Sequence, residues 1–456
     1  MNALEKRSVA ALASVYAMRM LGLFMVLPVF VLLADDLQGA TPVLIGVAIG
    51  GYGLSQALLQ VPFGMLSDRF GRKRMIYLGL VLFALGSLLA AMSDSIYGVI
   101  AGRILQGSGA IASVLMALLS DLTREEQRTK AMALVGISIG LSFSVSLVLG
   151  PLIGNSFGLS GIFFFTAALA VVALVLVRQV VPQPHLSVVN SEALPARAML
   201  RRVLSDQRLL RLDFGIFVLH LVLTALFLVV PSLLAGEVGL PSSSHWWLYL
   251  SVMIASFFAM IPFIILGEKK RQMKAVLCGA IVLLLAAIAG FALVSLTLTA
   301  VWIILFVFFM AFNLLEASLP SLISKEARAG TRGTAMGVYS TSQFLGAFIG
   351  GALGGVLLAS AGLAGVLAMM AVALVLWLGV ALTMPRPSHT ASFMVQLHNA
   401  AGVSAGQVDR SLRSLPGVED VVILEDSETA WLKVDRLHFD EKRLSEFPFI
   451  RPAASS

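Results

Sequence analysis

Apolar runs long enough to cross a bilayer recur along the chain, parted by short polar connections. A bilayer core takes about 20 residues of helix. Twelve segments reach that length, at 9–34, 42–66, 75–93, 96–120, 131–154, 158–181, 212–236, 244–266, 275–297, 299–323, 333–360 and 362–384. The first follows MNALEKRSVA and has no small-residue cleavage site, so it reads as a membrane helix and not a signal peptide. After residue 385 the pattern changes. Ser392–Leu397, Val418–Leu424 and Ala430–Val434 read as strands, 404–415 as a helix with Val408, Leu412 and Leu415 on one face, and 440–446 as a second helix. This order suggests a ferredoxin-like split βαβ.

The predicted fold is therefore an all-α membrane protein of twelve transmembrane helices in two six-helix halves, plus a small α+β C-terminal domain. The expected divisions are a first bundle at 1–181, a linker at 182–210, a second bundle at 211–384, a linker at 385–391 and a tail domain at 392–456. A shift of 204 positions aligns SDLTREEQRTKAMAL (120–134) with SKEARAGTRGTAMGV (324–338). Both stretches lie between an even and an odd span, which predicts a parallel duplication of a six-span unit.

Composition agrees: 58% of residues are hydrophobic and 12% are charged, against about 25% charged in soluble domains. The net charge of +7 does not indicate nucleic acid, because the basic residues sit in short clusters between apolar runs. Up to Arg386, every Lys and Arg except Arg19 and Arg103 lies at the N-terminus, in or beside an even-to-odd connection, or after span twelve. The positive-inside rule then places both ends of the membrane domain in the cytoplasm. The only cysteine, Cys278, excludes disulfides and cysteine-based metal sites.

One basic connection is unusual. GMLSDRFGRKR (64–74) holds an acid and two glycines that topology does not explain. Gly64, Leu66, Asp68, Arg69, Gly71, Arg72 and Lys73 resemble the loop motif of the major facilitator superfamily. Arg103–Ala110 resembles the family's span-four motif, and Ser146–Asn155, with Gly150, Pro151 and Gly154, its antiporter-associated span-five motif. That last match departs at Ser146 and Asn155, where the family has glycine. YAMRMLGLFMVLPVF (16–30), 104–125 and 322–346 further resemble a bacterial drug/proton antiporter-like member with a soluble domain after its twelfth helix.

The resemblance implies a proton-coupled transporter working by alternating access. It implies that Asp68 meets the N-terminus of span eleven near Gly337 and that Arg72 pairs with Asp121, a latch holding the cytoplasmic side shut. GVSAGQVDRSLRSLPGVEDVVI (402–423) is similar to heavy-metal-associated domains, but His398–Ser404 lacks their two cysteines, so no metal is expected. A regulatory or interaction module is the expectation, with a stabilising appendage as the plain alternative.

Polar residues inside spans mark function by default. Arg19, Tyr52, Gln56, Arg103, Gln106, His220, Asn313, Glu316, Tyr339 and Gln343 are predicted to line one cavity. Interhelical pinning explains Asn313 equally well. Glu316 leads as the proton carrier, with Asp35, Asp36 and His220 as alternatives. No nucleotide-binding loop or nucleophile–base pair marks an enzyme. The expected function is export of small molecules driven by a proton gradient, without cofactor, by a monomer of the bacterial cytoplasmic membrane contacting lipid. An uptake symporter or facilitator, and a membrane sensor signalling through its tail to a ligand or protein partner, stay open.

Overall fold

The computed structural model describes residues 1–182, 196–327, 332–385, 390–397, 405–424 and 429–435, with scattered residues beyond. Its helices are α1 (Ala3–Phe24), α2 (Phe30–Ala34), α3 (Pro42–Phe70), α4 (Arg72–Ala91), α5 (Ile96–Ser108), α6 (Ala112–Asp121), α7 (Glu125–Gln179), α8 (Ala196–Leu204), α9 (Gln207–Gly236), α10 (His245–Lys269), α11 (Met273–Leu293), α12 (Leu298–Glu326), α13 (Arg332–Leu382) and α14 (Ala405–Arg413). Side-chain caps fix several starts. Thr41 and Thr297 accept from Leu44 N–H (3.3 Å) and Ala300 N–H (3.2 Å), and Pro42 follows at the first helical position, where its missing N–H costs nothing.

Nine segments among the described residues are long and apolar enough to cross a membrane. Two of them have 50 residues, about 75 Å of helix against a core of about 30 Å. Each turns back once, at Gly158 (φ 65°) and Gly362 (φ 63°). α1 carries Glu5, Lys6, Arg7 and Arg19, and is less apolar than these nine. Two expected spans are interrupted. Pro28 lies in the break between α1 and α2, where it supplies no N–H. α5 and α6 part at Gly109–Ile111, where a Cβ on Gly109 would strike the backbone of Gly79.

The duplication is written in the backbone. Outside the tail, six described residues have positive φ, and they form three pairs: Gly39 with Gly239, Gly71 with Arg271, and Gly158 with Gly362. The members of each pair stand 200, 200 and 204 positions apart. Lysines repeat the pattern: Lys73 Nζ donates to Val181 O and Lys274 Nζ to Leu382 O, each at 2.8 Å across 108 residues.

Beyond the helices, β1 (Thr390–Gln396), β2 (Val418–Leu424) and β3 (Thr429–Asp435) form an antiparallel sheet of order β1-β3-β2. Leu397 bridges to Ile450 beyond the β1 edge. Val408 and Leu412 of α14, with Leu415, pack on Val421, Leu432 and Val434. His398 and most of the helix expected at 440–446 lie outside the described residues.

The first turn of α1 precedes the apolar run. Asn2 and Glu5 cap each other there, and Glu5 also accepts from Arg124 Nε at 3.0 Å and Nη2 at 3.3 Å. The Arg124 side chain chiefly, then backbone N–H donors, hold the Glu5 carboxyl at about 2, below its ordinary 4.5. A depressed pKa gives stability that is present above the unfolded value and lost as pH falls toward the folded one. Glu5→Gln is thus expected to lower the Tm at pH 7, and the difference from the unsubstituted protein should narrow as pH falls from about 4.5 toward 2. Thermal unfolding of both proteins across that range checks this.

Candidate functional site

The two halves touch on the side away from the basic loops. A Cβ on Gly50 of α3 would lie 2.8 Å from Phe348 O of α13, one on Gly53 2.5 Å from Phe344 O, and one on Gly355 2.6 Å from Pro42 O. Glycine lets these backbones meet. Between α7 and the turn that precedes α10, Asn155 Nδ2 donates to Ser242 O at 3.0 Å, and Ser242 Oγ to Asn155 Oδ1 at 2.7 Å. Asn155, a departure from the span-five motif, is therefore a tie between the halves. Gly150 and Gly154 of that motif press on α1 and α2: added Cβ atoms would meet Pro28 and Leu33 at 3.0 Å. Pro151 lies inside α7.

An aromatic layer continues this closure. Phe24 of α1 meets Phe143 of α7 (5.0 Å between centroids), and Phe143 meets Phe312 (5.6 Å) and Phe309 (6.1 Å) of α12. Toward the basic side the contacts stop. Cβ atoms on Gly136, Gly140, Gly333 or Gly337 would meet nothing within 4 Å, and Ile137 and Leu141 are exposed.

Polar groups gather on the basic side of the aromatic layer. In the first half, Arg19 Nη2 donates to Gln56 Oε1 (2.5 Å) and Tyr52 Oη (3.0 Å), and Gln56 Nε2 to Gln60 Oε1 (2.8 Å). Arg19 is 2% exposed, and its Nε and Nη1 have no hydrogen-bond partner. Arg103 differs. It donates to Ala48 O (3.3 Å), Ile49 O (3.4 Å) and Gln106 Oε1 (3.0 Å), and stands 5.2 Å over the Tyr52 ring. Gln106 continues to Ser87 Oγ at 2.8 Å. Arg103 thus pins α5 to α3, whereas Arg19 keeps donors to spare.

In the second half, the Gln343 amide lies 2.8 Å from His220 Nε2 and 3.4 Å from Glu316 Oε1. His220 Nε2 and Glu316 Oε2 are 3.9 Å apart, and Glu316 Oε2 has no hydrogen-bond partner. Asn313 turns away to Ser256 Oγ at 3.3 Å. Tyr339 is buried with its hydroxyl unpartnered. Tyr16 of α1 lies within electrostatic reach of both Arg19 and Glu316. Asp35 and Asp36, exposed at the end of α2, lie outside both clusters.

The loop motif closes on itself. Asp68 pairs with Arg72 four residues on, and Arg72 Nε also reaches Asp121 Oδ2 at 3.3 Å. Gly71, at φ 95°, ends α3 and begins α4, in a region of φ that glycine enters freely. Gly64 passes close to Ser113 (3.4 Å from an added Cβ), and the Arg69 guanidinium covers Phe70. Asp68 has 62% of its side chain exposed. In the second half Glu268, 200 positions after Asp68, pairs with Lys325 at 2.7 Å, and Lys325 stands 204 positions after Asp121. Likewise Glu5–Arg124 (3.0 Å, 119 residues apart) answers to Arg208–Glu326 (3.5 Å, 118 apart).

Sequence reasoning missed Asp213, a carboxyl 4% exposed within α9 with neither oxygen hydrogen-bonded. The signal was present, since Asp213 is an acid just inside the segment expected to start at 212. Among the described residues, no group of three or more His, Cys, Asp or Glu is placed to hold a metal ion.

Two helical halves around a buried polar centre, open at the basic side, define a polytopic membrane protein of transporter architecture. The chain belongs to the Major Facilitator Superfamily, whose profile matches residues 12–351. It is 46% identical over 94% of its length to the inner membrane transport protein YajR of Escherichia coli, covering 94% of that protein. It is 29% identical over 74% of its length to the multidrug resistance protein MdtH of Aeromonas salmonicida, covering 84% of it. The fold matches an inward-facing, occupied structure of a bacterial homologue of the human lysosomal transporter Spinster, with a TM-score of 0.69 at 13% identity over 85% of this chain and 98% of that one.

Proposed function

We propose that this chain is a proton-coupled secondary transporter of a bacterial inner membrane, crossing it twelve times and exporting small molecules by alternating access. Membership of the superfamily makes it a membrane transporter rather than an enzyme. The observation that carries the finer reading is the pair Arg19 and Glu316. They belong to different halves, both lie within electrostatic reach of Tyr16, and each keeps polar atoms uncommitted. A carrier needs such groups, because substrate and proton must exchange for one another at one place. The inner-membrane transport and multidrug resistance relatives favour export.

The conformation is read as open to the cytoplasm. Asp68, held by Arg72 here, would cross to the N-terminus of α13 near Gly337 when that side closes. A helix N-terminus favours negative charge, whereas Asp68 at the end of α3 stands at the unfavourable pole. Arg72–Asp121 would keep the loop aimed. Uptake by symport stays as a second reading, since Ser146 and Asn155 replace two motif glycines.

The tail is read as a cytoplasmic ferredoxin-like regulatory module, because β1 and β2 flank β3 and the Leu397–Ile450 bridge occupies the place of a fourth strand. A sensor whose output passes through this module would lose it on deletion of 386–456, whereas a transporter should keep moving substrate.

Everted vesicles energised to be acidic inside, carrying a pH-reporting dye, test the proposal. Addition of a transported compound should alkalinise the lumen with the intact protein and not with Arg19→Ala. Silence across lipophilic cations, sugars and amino acids would contradict proton antiport of those classes.

A further inference from the structure

Asp213 is the described carboxylate buried with neither oxygen hydrogen-bonded. Its surroundings follow from how α9 meets α13. A Cβ on Gly346 would strike the backbone of Phe217, and one on Gly350 that of Leu221. The helices run side by side at a four-residue register. Asp213, one turn before Phe217, therefore faces the α13 turn at Ser342, next to Tyr339. Tyr339 lies within electrostatic reach of both Asp213 and Glu316. His220 stands two turns deeper on the Asp213 face of α9, and Gln343 one turn deeper than Tyr339 on α13. The arrangement is a file: Asp213 toward the basic end, Tyr339 with its hydroxyl free, then Glu316 with Gln343 and His220.

Among the described residues no ion pair reaches Asp213, and Arg201 and Arg202 of the neighbouring α8 are exposed. On its own helix, Arg208 is turned to Glu326 at 3.5 Å and Arg211 to Thr383 O at 3.1 Å. α13 offers Tyr339, and α12 offers Glu316 beyond it. An ionised carboxylate stripped of water, with neither oxygen bonded, costs many times what the neutral acid does. A bound proton removes the charge and supplies a donor.

We propose that Asp213 is a second proton-binding site, occupied in this inward-open conformation, with Tyr339 and Glu316 next in line behind it. Its role in transport rests on the proton-coupled reading above, but its proton does not. Nothing is oxidised or reduced.

Infrared spectroscopy of the purified full-length protein tests the site without any substrate. The carbonyl stretch of a protonated carboxyl is followed in deuterated buffer from pH 5 to pH 9. Asp213→Asn should lose one component of this band at neutral pH, while Asp213→Glu keeps a shifted one. Should Asp213→Asn fail to fold, carboxyl-¹³C aspartate in the unsubstituted protein should shift that same component, the other aspartates whose side chains are described being exposed, half-buried or ion-paired. A band unaffected by substitution and label would overturn the proposal, as would a sodium-dependent carboxylate stretch at Asp213 in its place. Vesicle flux is a separate reading: a surviving band with no proton flux retains the site and removes only its use in transport.

Discussion

Gly351→Ala is expected to drive the protein away from the inward-open state. The added Cβ would lie 2.5 Å from Gly46 O and 3.0 Å from Gly50 N. Both are backbone atoms that no rotamer change can move aside. Overpacking of this kind costs about 1–3 kcal/mol. The cost falls on the conformation in which α3 and α13 touch, so the inward-open population should drop roughly 5- to 150-fold relative to its alternative. Glycines 46, 50, 53 and 355 share the seam, and substitutions there should act in the same direction. The basic-side glycines 333 and 337 touch nothing in this state. Alanine at Gly337 should instead penalise the opposite conformation, where the N-terminus of α13 approaches the loop of Asp68. Spin-label distances across both ends read the two effects with opposite sign.

Glu316→Gln should abolish proton-driven accumulation while sparing downhill exchange of substrate. The glutamine keeps the shape and the bond to Gln343 but binds no proton in the working range. Coupling requires a group that carries a proton in one state and releases it in the other, and Glu316, beside His220 and Gln343, keeps its Oε2 free. Counterflow in vesicles without a pH gradient should therefore persist. Loss of counterflow and accumulation together would assign Glu316 to substrate binding or packing instead.

Much of this was readable in the chain. The apolar runs placed the spans, because a bilayer leaves few other ways to satisfy a backbone. The loop motif put Asp68, Gly71 and Arg72 between two spans; in the structure Asp68 is in the last turn of α3, Arg72 begins α4, and Gly71 alone joins them. The repeat rested on a modest match between 120–134 and 324–338, and the paired positive-φ residues make it concrete. Arg271 shows why sequence alone undervalued it: the backbone turn is kept where the glycine of position 71 is not.

Other features depend on neighbours from distant parts of the chain. Arg19 and Arg103 looked alike as intramembrane cations, but backbone carbonyls of α3 occupy Arg103 and leave Arg19 underused. Asn313 shared a helical face with Glu316 by spacing, yet its partner is on α10. The aromatic layer drew on scattered phenylalanines that hydropathy reads only as greasy. Which end of the molecule is closed is a property of one state, and no periodicity encodes it.

The central claim is that the halves rock about the polar centre, exposing it to one side at a time. Double electron–electron resonance measures this directly. With Cys278 replaced by serine, labels at Lys130 and Lys270 report the basic ends of α7 and α10, and labels at Phe157 and Ser243 the opposite ends. The account predicts a long basic-side distance and a short opposite-side one, exchanging their order as pH or bound substrate changes. Two distances that stay fixed under every condition, or that lengthen together, would contradict it.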